Sequence, residues 1–412
     1  MNTTEIFNMA LGLSRPWYIS RVELLPDEAS AEKELHIHLD FEKDFKFLTG
    51  SNTPSSACDT EEKIWQHLNF FQHRCYLHAR VPRVKDSVSD QVTQVHVPWA
   101  RQGSGFTLLF EAYAMLLIES EMPVCKAAEN LSITAPRLWR VFDFWISKAV
   151  GRDDLSKTKR IGIDETPRKK GHEYITQVVD LDGHRTVFVT EGKGMETVEK
   201  FVERLEEKGG QAENIELISM DISPAFIAAA TKYLSGAKIV FDKFHLVKLL
   251  NGALDETRRL ERKGNELLKN HRYTILKKYD KLSVQKKSDL QIILDYYPKL
   301  GEAYRLRQLF LDVFEIGSKE EAMGYLWFWC EQALESGIQP FMKFTKMIKA
   351  HWWGIVQYFH TPVTNGILEG INSKIQLAKR RAGGYRNPKN FINMVYFTCA
   401  KLKFDYYPYK TL

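Results

Sequence analysis

Three carboxylates stand where a folded chain could bring them together: Asp164 in GIDET, Asp221 in ISMDIS and Glu369 in ILEGIN. The two aspartates lie on otherwise apolar runs, and a lone buried carboxylate is costly unless it is paired or bound to metal. Three convergent carboxylates suit two hard cations, Mg²⁺ or Mn²⁺, held by oxygen ligands. Such a pair of ions, about 4 Å apart, can activate a nucleophile and stabilise the leaving oxygen of a phosphoryl displacement.

Each acid also has an ordinary interpretation. A strand-end aspartate is often a turn or capping residue, and a helical glutamate is often only solvated. Glu165 competes with Asp164, but neighbouring residues of a strand point to opposite faces, so only one of the two can join a cluster. Asp242 and His245 follow a further strand in FDKFH. His245 could orient a scissile phosphate or a flipped base, and the alternative is a structural histidine.

The elements that would position these acids follow a recognisable order. Residues 151–245 read as strand, hairpin, helix, strand, helix and strand, or β-β-β-α-β-α-β. Three antiparallel strands followed by parallel crossovers predict a ribonuclease-H-like mixed α/β core. Residues 246–345 predict an all-helical insertion. Residues 346–412 return to the core with the helix of Glu369 and a C-terminal tail.

The Glu369 helix is predicted to bury a stripe formed by Ile367, Ile371, Ile375 and Ala378. Its polar face becomes basic after Glu369, and a basic face beside a carboxylate favours a polyanionic substrate. The candidates for contact with the DNA backbone are Lys374, Lys379, Arg380 and Arg381.

Residues 1–98 predict a small β-rich region, with strands in ELHIHLDF and RCYLHARVPRV and a loop at SNTPSS. The spacing of its histidines and cysteine fits no zinc template, and alternation along strands explains it. The residues concerned are His67, His73, Cys75 and His78.

Residues 99–150 predict a helix-turn-helix DNA-binding domain, with an αα-hairpin in a helical core as the alternative. The second helix starts near Thr134. Arg137 and Arg140 lie off its apolar face and are candidates for groove or phosphate contact. The residues predicted to be buried are Leu138, Val141, Phe142 and Trp145.

Composition sets only broad limits. The 412 residues carry a net charge of +6, a mild excess that is compatible with a nucleic-acid partner without requiring one. The five cysteines are scattered and form no CxxC pair, which predicts reduced thiols. No segment reads as a signal peptide or a membrane span, so we expect no membrane partner and a cytoplasmic protein.

Four motifs together, GIDE, MDISPAF, FDKFH and TNGILEGINSKIQLAKRRAGGYRN, resemble the ISL-type (L-three element) insertion-sequence transposases of the DDE superfamily. ACDTEEKIW, YLHARVPRV and VPWARQGSGFTLLFEA extend the resemblance toward the N-terminus. The resemblance implies a DDE triad at Asp164, Asp221 and Glu369, and a signature at Asp242 and His245. It also implies that a tryptophan of the insertion, Trp327 or Trp329, stacks near a transposon end, although both also read as core aromatics.

The chain departs from this family near its N-terminus. Members commonly carry a zinc ribbon of two CxxC knuckles, but Asp86 and Ser89 stand in place of the second pair of cysteines. The first pair would fall near FLTGSNT, which has none. We therefore expect a degenerate ribbon without zinc.

The resemblance predicts a bacterial or archaeal transposase, nucleoid-associated when bound. It would bind the terminal inverted repeats of its element, cleave each end with Mg²⁺ and join the 3′ ends to target DNA. Because two ends must be handled, we expect a homodimer. Two alternatives remain: a domesticated or decayed transposase that only binds DNA, and another nuclease of the same fold.

Overall fold

The computed structural model describes residues 3–26, 33–169, 173–262, 268, 270–277, 279–361 and 366–405. The chain forms two compact units, one of residues 1–149 with 403–412 and one of residues 150–402. The mixed α and β composition that the sequence predicts is confirmed in these units. No helix of the described ranges is long and apolar enough to cross a bilayer.

The first unit contains a six-stranded sheet ordered β1-β2-β5-β4-β3, with β6 paired to β5. β2 and β5 run parallel, and the other pairs are antiparallel. Alternate residues of β2 and β5, such as Ile37 and Leu77, are buried against Trp17, Trp65 and Trp99. The elements are α1 (Thr3–Leu11), β1 (Trp17–Pro26), β2 (Lys33–Phe41), β3 (Lys46–Leu48), β4 (Pro54–Phe70), β5 (His73–Lys85) and β6 (Val92–Gln94).

The loop predicted at SNTPSS is wrong in its second half, because β4 begins at Pro54. The strand pairs with both β3 and β5. Residues 54–64 of β4 contain no buried side chain, so backbone pairing rather than a buried face accounts for this part of the strand.

Three helices follow in the first unit: α2 (Leu108–Glu119), α3 (Val124–Asn130) and α4 (Ala135–Gly151). Thr107 caps α2 by accepting a hydrogen bond from the Phe110 amide. The turn between α3 and α4 passes through Ser132 with a positive φ of 52°. The predicted buried face of α4 is confirmed, since Leu138, Val141, Phe142 and Trp145 are all buried.

The second unit is built on a five-stranded sheet ordered β11-β10-β7-β8-β9. β7, β8 and β9 are antiparallel, whereas β10 runs parallel to both β7 and β11. The predicted order β-β-β-α-β-α-β is thereby confirmed. The elements are β7 (Arg160–Pro167), β8 (Tyr174–Asp180), β9 (Arg185–Glu191), α5 (Met195–Glu207), β10 (Leu217–Met220), α6 (Pro224–Tyr233) and β11 (Lys238–Phe241).

The described residues after β11 are mainly helical, and the helix of Gly354 packs closely on that strand, since a Cβ at Gly354 would overlap the Phe241 ring. The helices are α7 (Lys243–Glu261), α8 (Arg272–Leu276), α9 (Val284–Tyr296), α10 (Pro298–Asp312), α11 (Lys319–Glu335), α12 (Gln339–Ala350), α13 (Trp352–His360), α14 (Gly366–Arg381) and α15 (Pro388–Cys399).

Helix α14 carries Glu369 and packs on β7 through Leu368. A Cβ at Gly162 would lie 2.9 Å from Leu368 Cδ1, so the glycine permits this close approach. The predicted stripe is therefore partly wrong: Ile371 and Ile375 are buried, but Leu368 takes the place expected for Ile367. Thr364 and Asn365 of the same motif lie outside the described residues.

Candidate active site

Asp164 lies on the central strand β7 and is half-buried. Its Oδ1 accepts a hydrogen bond from the Glu165 amide at 2.7 Å, and its Oδ2 accepts one from Asn372 Nδ2 on α14. Burial raises the pKa of Asp164; the Asn372 hydrogen bond opposes this rise, and the nearby charge of Asp221 adds to it. An acid with a raised pKa next to a second acid is a typical feature of a functional site.

Asp221 directly follows β10, the strand adjacent to β7. Its backbone carbonyl accepts a hydrogen bond from the Ser223 amide at 2.8 Å, just before Pro224 opens α6. Its carboxylate instead contacts His245 Nδ1. Asp221 therefore takes part in the turn before α6 through its backbone carbonyl only, and its side chain contacts His245.

Asp242 and His245 come from the beginning of α7. Asp242 caps the helix, since its Oδ1 accepts a hydrogen bond from the Phe244 amide at 2.6 Å. Its Oδ2 lies 3.1 Å from His245 Nδ1. Burial alone would lower the pKa of His245, but hydrogen bonds to Asp221 and Asp242 raise it to about 9. His245 is therefore a cation at neutral pH that bridges two acids.

Asp164, Asp221 and His245 form the acidic cluster of this unit. One potential ligand atom from each of them lies within 4.8 Å of the others. Two carboxylates at neighbouring parallel strands supply the oxygen donors that Mg²⁺ and Mn²⁺ prefer. The donor set therefore fits a divalent cation, with His245 compensating part of the negative charge.

Glu165 and Glu369 lie outside the acidic cluster. Glu165 is half-buried, and burial raises its pKa. Glu369 is exposed in the first turn of α14. It lies three residues before Asn372, whose side chain contacts Asp164, so the two residues occupy the same side of the helix. The structure thus brings Asp164, Asp221, Asp242 and His245 together. Glu369 lies outside this group, on the side of α14 that carries Asn372.

The predicted basic residues of α14 differ in their surroundings. Lys379 Nζ donates a hydrogen bond to the Pro167 carbonyl at 2.7 Å, at the end of β7. Lys374, Arg380 and Arg381 are exposed. Lys379 therefore stabilises the position of α14 on β7, whereas the other three basic residues lie at the surface.

The aromatic candidates of the insertion also differ. Trp329 is buried and donates a hydrogen bond from Nε1 to the Leu306 carbonyl at 2.7 Å, so it is a core residue. Trp327 is exposed, with Lys349 Nζ 4.8 Å from the ring centroid. Of these two tryptophans, Trp327 is the one whose ring is exposed and could contact a ligand.

The helix-turn-helix residues in the first unit are organised around a buried acid that the sequence reasoning missed. Glu111 on α2 accepts hydrogen bonds from Arg101 Nε at 2.9 Å, Ser104 Oγ at 2.5 Å and Trp145 Nε1 at 2.9 Å. The signal was present, because Glu111 interrupts an apolar helix. Arg137 stacks over the Phe106 ring at 4.4 Å, and Arg140 is exposed.

The four residues weighed as zinc ligands in the β-rich region have separate environments. His67 Nδ1 hydrogen-bonds Thr107 Oγ1 at 2.8 Å, and Cys75 is buried in the core. His78 Nε2 lies 2.8 Å from His36 Nδ1 on β2. His73 lies at the start of β5 with its Nδ1 buried.

Two ranges of this chain match known protein families. One family, described as a transposase, matches residues 161–395, and the other, described as the helix-turn-helix domain of transposase family ISL3, matches residues 95–146. The first range contains the acidic cluster, Asp242 and Glu369, and the second contains Arg137 and Arg140. The helix-turn-helix prediction is thereby confirmed.

Curated relatives have related descriptions. The transposase for insertion sequence element IS1001 of Bordetella parapertussis is 31% identical over 251 residues, which cover 59% of this chain and 61% of that protein. The transposase for insertion sequence element IS1557 of Mycobacterium tuberculosis is 28% identical over 366 residues, which cover 82% of this chain and 81% of that protein. The chain thus spans less than two thirds of the length of the Bordetella relative.

Proposed function

Because the chain belongs to the ISL3 family of transposases, we propose that it binds the terminal inverted repeats of an insertion sequence and catalyses Mg²⁺-dependent DNA strand cleavage and strand transfer. Membership confirms the resemblance found in the sequence motifs. The observation that carries the proposed reaction is the acidic cluster, in which one carboxylate oxygen each of Asp164 and Asp221 and a ring nitrogen of His245 lie within 4.8 Å of one another.

The sheet order supports a ribonuclease-H-like core. Three antiparallel strands, β7 to β9, are extended on the other side of β7 by the parallel strands β10 and β11. Asp164 on the first strand and Asp221 after the fourth lie on adjacent strands of this sheet. A core of this kind supplies positioning and charge, and needs no side-chain nucleophile for phosphoryl transfer.

Asp164, Asp221 and Glu369 would hold the divalent cations, Mg²⁺ or Mn²⁺, as a pair. When bound, such ions supply activation of the attacking oxygen and stabilisation of the leaving oxygen. Asp242 and His245 orient the Asp221 carboxylate through the shared Nδ1 contact.

The basic residues would hold the DNA itself. Lys374, Arg380 and Arg381 are exposed on the helix of Glu369, where phosphate contacts would keep a strand near the acids. Lys379 would contribute mainly by fastening this helix. Arg140 and Arg137 on α4 would contact the terminal repeats in the major groove or at phosphates. A homodimer would bring two ends together.

Strand nicking tests the proposal. Linear DNA labelled at one end and carrying the inverted repeats that flank the gene is incubated with Mg²⁺ or Mn²⁺ and each of three proteins: wild type, Asp164→Asn and Glu369→Gln. We expect nicking at the repeat boundary in wild type and a loss of about a thousandfold in each variant, since several kcal/mol of charge stabilisation is removed.

Glu203→Gln is the matched control, because Glu203 is an exposed carboxylate on α5 of the same unit and lies outside the acidic cluster. It should nick DNA like wild type. Specific binding of the repeats by all proteins with no nicking by any would overturn the catalytic proposal and favour a protein that only binds DNA. Nicking that survives Asp164→Asn would place the chemistry elsewhere.

A further inference from the structure

Asn372 is the side chain through which α14 contacts the acidic cluster. Its Nδ2 donates a hydrogen bond to Asp164 Oδ2. Its Oδ1 accepts hydrogen bonds from Thr166 Oγ1 at 3.1 Å and from Gln177 Nε2 at 2.6 Å. Thr166 and Gln177 are both buried. Both ends of the Asn372 amide are therefore engaged by the sheet.

Chemistry fixes which end of the amide faces Asp164. An ionised carboxylate only accepts hydrogen bonds, so the amide must present its NH₂ group to it. The two donors at the other end come from the sheet in register: Gln177 on β8 is the cross-strand partner of Asp164, and Thr166 lies two residues along β7 on the same face. Two neighbouring strands thus hold the amide in one orientation.

The same contact sets the rotation of α14 about its axis. Leu368 packs against Gly162 at one point of β7, and Asn372 bonds to Asp164 at a second point one turn later. Glu369 lies between these two anchors along the helix. Its position relative to Asp164 is therefore determined by the Asn372 bond together with the Leu368 contact.

We propose that Asn372 is a positioning residue for cation binding: its amide fixes the Asp164 carboxylate and holds the helical face that presents Glu369. The inference rests on the proposed function, because it takes the acidic cluster and Glu369 as the place where a divalent cation binds. Groups that orient metal ligands commonly contribute 10- to 100-fold to metal affinity.

Mn²⁺ is the probe for this role. Free and bound Mn²⁺ are counted by electron paramagnetic resonance on the full chain, and the Mn²⁺ concentration giving half-maximal nicking is measured in parallel. We expect Asn372→Ala to weaken Mn²⁺ binding roughly tenfold. Thr166→Val, which is nearly isosteric and removes one of the two donors to Asn372 Oδ1, should weaken it less and in the same direction.

Ser373→Ala is the control, because Ser373 is the next residue of α14 and is exposed. It should bind Mn²⁺ like wild type. Melting curves without metal separate a positioning role from a structural one. If Asn372→Ala and Thr166→Val lower only the melting temperature and bind Mn²⁺ like wild type, the inference is overturned.

A failure of the proposed function would give a different combination of Mn²⁺ binding and DNA nicking from a failure of this inference. If wild type binds Mn²⁺ through Asp164 and nicks no DNA, the proposed function fails, and the Mn²⁺ affinities still decide the role of Asn372. If Asp164→Asn leaves Mn²⁺ binding unchanged, the cluster is not the cation site and the inference falls with it.

Discussion

Asp86 in the first unit and Asp164 in the second are both carboxylates held by hydrogen bonds, yet their surroundings oppose each other. Asp86 Oδ1 accepts hydrogen bonds from the Val88 amide at 2.8 Å and the Ser89 amide at 3.2 Å, and its Oδ2 accepts one from the Ser51 amide at 2.8 Å. Asp164 shares its surroundings with a second acid, Asp221.

The pKa values of the two acids shift in opposite directions. Hydrogen bonds, that from the Val88 amide first, hold the pKa of Asp86 well below its usual range against the opposing effect of burial. Burial and the charge of Asp221 raise the pKa of Asp164. A carboxylate saturated by amide donors is a structural link, whereas two carboxylates close to each other favour binding of a cation or uptake of a proton. The Asp86 carboxylate links the turn at Ser51 to the turn at residues 87–89. These two turns lie where the family resemblance predicts the first and second zinc knuckles.

Glu111 resembles Asp86 in being held by several hydrogen-bond donors, although its donors are side chains rather than backbone amides. It gives the largest expected effect on stability. It is fully buried and accepts hydrogen bonds from three side chains. Glu111→Gln should lower the free energy of unfolding by about 3 kcal/mol, because it leaves Arg101 without its counter-ion.

Asp164→Asn removes a like charge next to Asp221 but turns an NH₂ group toward Asn372 Nδ2 or the Glu165 amide, both of which are donors. It should therefore lower the free energy of unfolding by about 1 kcal/mol, which is less than the effect of Glu111→Gln.

Urea unfolding followed by circular dichroism, in metal-free buffer, measures both changes. The comparison fails if Asp164→Asn destabilises the protein as much as Glu111→Gln, since Asp164 would then be a structural acid as well.

The pH dependence of stability gives a second, smaller test. Because the pKa of Asp86 is lowered by folding, its ionised form stabilises the native state above the unfolded pKa of about 3.9. That contribution is lost as pH falls through the lower folded pKa. Asp86→Asn should therefore melt below wild type at pH 7, and the difference in melting temperature should shrink below about pH 4.

Asp90→Asn is the matched control for Asp86→Asn. Asp90 lies in the same turn and is 84% exposed, paired with Lys85. It should melt close to wild type at every pH. A gap between wild type and Asp86→Asn that widens on acidification would contradict the role assigned to the Asp86 hydrogen bonds.

Local patterns predicted much of this structure. The alternation from strand to helix in residues 151–245 gave the order of the elements, and the apolar spacing of α4 gave its buried face. These succeed because each depends on residues close in sequence. The buried face of α14 was less predictable: Ile367 and Leu368 both fit a helical stripe, and the choice depends on the space above Gly162.

Asn372 in the candidate site and Glu111 in the first unit show why some polar contacts escaped prediction. Asn372 contacts Asp164 across 208 residues of sequence, and a lone asparagine on a helix carries no local sign of such a contact. Glu111 was visible as an acid in an apolar helix, but its donors come from a loop and from α4. Long-range polar contacts depend on tertiary structure, which periodicity does not encode.

The arginines of the helix-turn-helix also differ in whether protein groups contact them. Substitutions here should have the smallest effects on stability. Arg101 donates a hydrogen bond to Glu111, and Arg137 stacks on Phe106, whereas Arg140 is exposed.

Arg140→Ala should leave the melting temperature unchanged, weaken binding of repeat DNA several-fold and reduce the slope of log K against log salt by about 0.9 for one lost phosphate contact. Arg137→Ala should also cost about 0.5–1 kcal/mol of stability, because a cation–π contact is lost. Fluorescence anisotropy between 50 and 200 mM salt, about the range over which phosphate contacts dominate, measures the slope. An unchanged slope in Arg140→Ala would show that exposure alone does not select the DNA contacts of this helix.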